Sequence, residues 1–135
     1  MSVFFDTNVL LYADDADAGD KATVARELLR EAFLQRTGVI SVQVLQEYFV
    51  NACRKLRLEA HAARARLEIY GGFDVVVPNT ALVLEAIDLH RLDTISFWDA
   101  LVVCSAQRAG CSVVYSEDLQ HGRRFGRLRV VNPFA

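Results

Sequence analysis

The chain has little proline, no glycine-rich loop and no cysteine pair, and each scarcity closes off a class of protein. Two prolines, Pro78 and Pro133, leave no room for a Pro-rich linker or a low-complexity segment. The first strand-to-helix turn, "DTNVLL", lacks the glycines that a dinucleotide-binding loop requires. Cys53, Cys104 and Cys111 form no C-x-x-C pair, so neither a disulfide framework nor a structural zinc site is expected. An odd count among apolar neighbours suits small buried hydrophobes in a reducing cytosol. No apolar run approaches the length of a membrane span. No basic segment precedes the first apolar residues, so a signal peptide is not expected and a cytoplasmic location is. Charge of one sign is also lacking: the net charge of −2 offers no field that attracts polyanions, and any nucleic-acid binding must use a local patch.

What remains is a globular composition, 53% hydrophobic and 24% charged, at a length suited to a single domain over residues 1–135. A chain of this size buries roughly two thirds of the surface its unfolded form exposes, so it folds without covalent staples. Val3, Phe4 and Phe5 read as a short buried strand, and a helix begins by Val9. The acidic stretch "DDADAGDK" interrupts it and reads as a solvated turn. An EF-hand is excluded there, because position twelve counted from Asp15 is Arg26. Lys21 to Gln35 is amphipathic, and "TGVISV" is a strand leading into a helix from about Ser41 to Leu56. In that helix Leu45, Tyr48, Phe49, Ala52 and Leu56 form an apolar stripe. A helix over about Glu59–Tyr70, the strand "FDVVVP", and a helix from Asn79 or Thr80 to about His90 follow. "ISFWDALVVCSAQRAG" is a largely buried helix, capped by Ser96 and stopped by Gly110. "CSVVYS" is a strand, "EDLQHGRRFG" a loop and "LRVVNPF" a last short strand. Strands alternating with helices imply an α/β fold with a parallel sheet covered on both faces.

Carboxylates recur where such a sheet places its ligands. Asp6 follows the first strand and Ser116-Glu117-Asp118 follows "CSVVYS", which puts both at the C-terminal edge of a parallel sheet. Asp99 lies in the first turn of its helix and Glu47 near the middle of another. Each has a structural alternative. Asp6, Thr7 or Asn8 can cap a helix. Ser96-x-x-Asp99 is a capping-box-like pattern, and Glu117 and Asp118 suit a turn. By periodicity Glu47 falls opposite the apolar stripe, beside Gln43, Asn51 and Arg54, on a solvated face. Taken together, they describe one chemistry. Carboxylates crowded at one edge repel each other unless a cation neutralises them, and oxygen-only ligands suit Mg²⁺ or Mn²⁺.

These residues resemble the PIN-domain ribonucleases, and specifically the VapC toxins of prokaryotic VapBC toxin–antitoxin pairs. "FFDTNVLLYA" is similar to the family's first motif, with Asp6 at its first acidic position. "SVQVLQEYFV" places Glu47 at the second position and "SFWDALVV" places Asp99 at the third. In "VVYSEDLQHGRRFGRLRVVNPF", Asp118 matches the fourth and Ser116 the preceding Ser or Thr, with Glu117 an extra acidic neighbour. The resemblance implies a three-layer α/β/α sandwich with a parallel sheet of four or five strands. It also implies a metal-dependent endoribonuclease. Asp6, Glu47, Asp99 and Asp118 would be both catalytic and metal-binding, holding one or two Mg²⁺ or Mn²⁺ ions that activate water against a scissile phosphate. Thr7, Asn8 and Ser116 would orient ligands, or simply cap and turn the chain.

The implied partners are an RNA substrate, a cognate VapB-type antitoxin whose tail occupies the acidic groove, and a second copy of the chain in a homodimer. Tyr48, Phe49 or the Glu59–Tyr70 segment would serve such interfaces unless they are core. Arg123, Arg124, Arg127 and Arg129 offer positive charge close in sequence to Asp118, as RNA contacts, as contacts to an acidic partner, or as a solvated loop. His121 reads as a surface residue, and Trp98 as core rather than a base-stacking platform. The rival reading is a catalytically silent RNA- or protein-binding module, which the intact acidic set disfavours. A haloacid-dehalogenase-like phosphatase would carry a second aspartate where this chain has Asn8.

Overall fold

A computed structural model describes all 135 residues. The chain runs β1 (Val3–Phe5), α1 (Thr7–Asp14), α2 (Asp20–Gln35), β2 (Gly38–Ser41), α3 (Val42–Arg54), α4 (Ala60–Tyr70), β3 (Asp74–Val76), α5 (Thr80–Asp93), α6 (Phe97–Arg108), β4 (Val113–Tyr115), β5 (Arg124–Phe125) and β6 (Leu128–Val131). The six strands form one sheet in the order β3-β2-β1-β4-β6-β5, flanked by the six helices as an α/β sandwich. Every pairing from β3 to β6 is parallel. The parallel part therefore has five strands, as the resemblance implies.

The sixth strand is a correction, since the sequence pattern predicts a loop over "EDLQHGRRFG". Arg124 and Phe125 pair antiparallel with Arg129 and Leu128. Gly126, at φ 61°, supplies the left-handed residue that this two-residue reversal needs. A strand of two residues shows no alternation, so nothing in the pattern announces it.

β1 is buried on both faces, as the middle of a parallel sheet requires. Phe5 stacks on its register partner Tyr115, at 5.5 Å between ring centroids, and packs against Phe73. Phe73 also sets the backbone of its neighbour strand: a Cβ at Gly38 would lie 2.3 Å from its ring. Glycine is the residue that lets the ring close over β2 there.

The helices start where short polar side chains accept the free amides. Asp6, Ser41, Asn79 and Ser96 cap α1, α3, α5 and α6. In α3 the buried residues are Val44, Tyr48 and Ala52, while Phe49 is 38% exposed. The expected stripe is thus rotated: Tyr48 is core, which removes it as an interface residue, and Phe49 is not. Cys104 and Cys111 are buried as expected, and Cys53 is half-buried.

One buried polar knot ties α1, α3 and α4 together. Asp14 Oδ2 accepts from the Tyr48 hydroxyl at 2.6 Å and the Tyr70 hydroxyl at 2.8 Å, and Arg66 Nη2 lies 3.0 Å from Asp14 Oδ1. Asp14 therefore leaves the solvated turn predicted for "DDADAGDK"; its side chain is 10% exposed. Burial, then the hydrogen bond to Asp14, raises the Tyr48 phenol far above its usual range, so it donates at any ordinary pH. Hydrogen bonds to a charged acceptor contribute about 1.5–3 kcal/mol each. Tyr48→Phe is expected to lower unfolding free energy by about that amount in urea titrations, and Asp14→Ala by more, because it strands two hydroxyls and a guanidinium. A Tyr48→Phe protein as stable as wild type would show that the knot contributes nothing.

Candidate active site

The chain visits β1, β2 and β3 on one side of the sheet, then crosses over to place β4 against the other side of β1. The seam between β1 and β4 is the switch point at which open α/β sheets form their crevice. Asp6 leaves β1 at the carboxyl end of this seam, and its amide donates to the Tyr115 carbonyl at 3.0 Å. Ser116 leaves β4 beside it, and its hydroxyl donates to Asp6 Oδ2 at 2.7 Å. The other Asp6 oxygen accepts from the Thr7 amide at 2.8 Å. Asp6 is therefore both the cap of α1 and a buried carboxylate aimed at the seam, only 5% exposed. The two readings of the sequence are not alternatives here.

A cavity of about 340 Å³ opens over this point, and Asp6, Glu47, Asp99 and Asp118 all line it. Glu47 reaches it from the middle of α3, where its Oε1 accepts from the Thr7 hydroxyl at 2.8 Å. This corrects the solvated face that periodicity gives it. The α3 stripe runs through Val44 and Tyr48, so Glu47 sits at the flank of the buried face, turned toward α1. Asp99 reaches the cavity from the first turn of α6, with its amide on Ser96 Oγ at 3.0 Å. Asp118 arrives from the loop after β4, its amide donating to Ser116 Oγ at 3.1 Å and its Oδ2 accepting from Asn8 Nδ2 at 3.3 Å. Thr7, Asn8 and Ser116 thus each hold a cavity carboxylate in place.

Glu117 also lines the cavity, but it has been spoken for. It forms an ion pair with Lys21 at 2.7 Å and accepts from the Tyr12 hydroxyl at 2.6 Å. Burial raises its pKa, but these two hydrogen bonds outweigh that and hold the carboxyl below its usual range. Asp6 has no such partner. Burial, opposed by the Ser116 and Thr7 hydrogen bonds and reinforced by the charges of Asp118 and Glu47, pushes it up to about 7. Asp99 is raised too, by burial first and by Asp118 in addition. The donor set is all oxygen, and its crowding is what a hard cation relieves. No three of the side chains stand together as a ready-made cage. They ring a shared space instead, which suits an ion that keeps several waters.

Sequence reasoning missed three features of this cavity. Asp15 and Asn51 line it unannounced. So does Lys55, the only basic side chain there, whose position one helical turn beyond Asn51 was the available signal. The expected arginines lie elsewhere. Arg129 pairs with Val113 at the start of β4, and the Gly126-Arg127 turn lies beyond it, toward the opposite end of the sheet from Ser116. Arg123 is engaged with Asp93 at 3.4 Å. Trp98, expected in the core, is 61% exposed and lines the cavity. His121 is exposed, as expected.

The Asp6 environment fixes a pH dependence. Its folded pKa, about 7, lies above the ordinary 3.8, so the folded protein holds a proton there that the unfolded chain releases. Without a cation, stability therefore falls as pH rises between about 4 and 7. Asp6→Asn removes this cost. In EDTA the variant is expected to gain on wild type by on the order of 2–4 kcal/mol between pH 4 and pH 8, read from urea unfolding. An equal difference at both pH values would mean that Asp6 ionises freely.

No curated protein matches the chain. Solved structures share its fold, three of them as follows. VapC20 of Mycobacterium tuberculosis, described as a Sarcin-Ricin loop cleaving toxin, superposes with a TM-score of 0.72 at 23% identity, over 87% of this chain and 90% of that one. A toxin–antitoxin complex from Klebsiella pneumoniae gives 0.72 at 19% identity, over 98% of each chain. VapBC2 from Rickettsia felis, bound to a DNA fragment from its promoter, gives 0.68 at 16% identity, over 96% and 97%. The model of the PIN domain matches residues 3–126, from the first strand to the β5–β6 turn, and all four cavity carboxylates fall inside that span. The chain belongs to the PIN-domain family.

Proposed function

We propose that the protein is a Mg²⁺- or Mn²⁺-dependent endoribonuclease, the toxin of a type II toxin–antitoxin pair. The observation that carries this reading is the convergence of Asp6, Glu47, Asp99 and Asp118, from four separate elements, on one cavity at the β1–β4 switch point. These four residues would hold the cation. When bound, it supplies Lewis-acid stabilisation of phosphate oxygens and a lowered pKa for water.

The chain's own residues prepare the rest. Ser116 and Thr7 fix the Asp6 and Glu47 carboxylates by one donated hydrogen bond each, leaving lone pairs free toward the cavity. Asn8 does the same for Asp118. A cavity carboxylate takes the proton of the attacking water. Lys55 provides the local positive charge that an otherwise acidic mouth needs to admit a phosphate backbone. Supporting the toxin reading, two structures of the same fold carry toxin or toxin–antitoxin descriptions.

Under the same reading, a VapB-type antitoxin occupies the acidic groove and the toxin forms a homodimer in the cytoplasm. The dimer reading draws support from exposed apolar side chains at Val77, Leu84 and Leu92. No helix is long and apolar enough to cross a membrane.

The decisive experiment is incubation of purified, antitoxin-free protein with total cellular RNA and Mg²⁺ or Mn²⁺. Discrete fragments are expected, and EDTA or Asp6→Asn should abolish them. Ser116→Ala, which frees a carboxylate without removing it, is expected to lower activity about 10- to 100-fold. Folded protein that binds Mn²⁺ and RNA but cuts nothing would favour the silent binding module. Cleavage that survives Asp6→Asn would reduce Asp6 to a helix cap.

A further inference from the structure

Trp98 stands between two concavities. On one side it lines the acidic cavity; on the other it borders a cleft of about 360 Å³ formed with Gln43, Gln46, Pro78, Phe97 and Leu101. At 61% exposed it is the most exposed aromatic residue of the chain, ahead of Phe33 at 47%. Phe97 packs edge-on against it, with ring centroids 5.2 Å apart and planes at 71°. Gln43 Nε2 donates to the Trp98 carbonyl at 3.3 Å. Gln43 Oε1, in contrast, is shielded from solvent and has no hydrogen-bond partner. Gln43 itself lines both concavities.

We infer that Trp98 and Gln43 form a nucleobase subsite: an unpaired base next to the phosphate held in the acidic cavity stacks on the Trp98 indole. The inference rests on the nuclease reading, since the cavity must hold a phosphate for the neighbouring base to reach the ring. Three observations favour a base over another occupant. The cleft and the carboxylate cavity share Trp98 and Gln43 in their linings. Lys55 lines the same cavity and supplies a counter-charge for the strand's backbone. The Gln43 amide carries an acceptor with no partner, which a turn about its terminal bond that releases the Trp98 carbonyl offers to a base edge with an amino group. Stacking tolerates any base, because every base has a π-face, whereas the Gln43 acceptor selects for adenine, cytosine or guanine over uracil's poorer donor edge. Trp98 is thus a substrate-binding residue, with no part in the chemical step.

Trp98 is the chain's single tryptophan, so its fluorescence reports on this site alone. In the Asp6→Asn background, where strands are not cut, poly(A) and poly(C) are expected to quench it saturably, and inorganic polyphosphate is not. In the wild-type background, Trp98→Ala is expected to raise KM for RNA cleavage roughly 5- to 150-fold with kcat nearly unchanged, the range that loss of one base–aromatic stack gives. Trp98→Phe should recover most of that loss, and Gln43→Leu should erase the preference for poly(A) over poly(U). Quenching by polyphosphate as strong as by RNA would overturn the proposal, as would an unchanged KM for Trp98→Ala. Fluorescence that changes on dilution but not with RNA would assign the indole to a contact between two copies, and would also overturn it. These failures leave wild-type cleavage intact. Absence of wild-type cleavage and of RNA binding would instead remove the nuclease reading, and the subsite with it.

Discussion

Everything at the site depends on one charge buried at one seam. The backbone pairing that sets β4 against β1 ends in a hydrogen bond from the Asp6 amide to Tyr115, and it is followed at once by the Ser116 hydroxyl on the Asp6 carboxylate. The same serine accepts the amides of Asp118 and Leu119, so a single hydroxyl joins the first strand's exit to the fourth strand's loop. A carboxylate held this way cannot relax into solvent. The fold stores an electrostatic cost at the centre of its crevice, and a cation is the simplest thing that offsets it.

Around that point the acidic residues fall into two kinds. Glu117 and Asp14 are neutralised within the chain, by Lys21 and by Arg66, and each acts as a mechanical tie between elements. Lys21 also lies over the Tyr12 ring at 4.8 Å and the Phe134 ring at 5.8 Å, so the Glu117 pair anchors the chain's end against α1. Asp6, Glu47, Asp99 and Asp118 have hydrogen-bond donors but no basic partner among the ion pairs. Neighbouring carboxylates such as Glu117 and Asp118 thus differ in kind, through their surroundings and not their chemistry.

How much of this was legible beforehand follows from what each signal measures. The strands and most helix starts were readable, because β-branched runs and capping residues act locally: Ser41, Asn79 and Ser96 cap where the sequence says they should. Asp6, at a strand's end, was readable from topology. Glu47 was not, since periodicity finds one buried face and α3 packs against both the sheet and α1. The family resemblance, and not the pattern, put it in the cavity. Trp98 misled because its neighbours in sequence are apolar, although the buried run of α6 begins only at Ala100. The arginines misled because nearness in sequence to Asp118 is undone when the chain runs back down the sheet before β5 turns into β6.

That same reversal has a consequence for how the protein lives among copies of itself. An open sheet offers two unpaired edges to any passing strand. Here one edge is β3, three residues long, beginning at exposed Asp74 and closed off by Pro78 two positions on. The other is β5, two residues long, where exposed Arg124 lies across from exposed Arg129. Like charges on one rung repel, so the hairpin is a poor template for further pairing. The arginines that do not reach the carboxylates keep the sheet from growing.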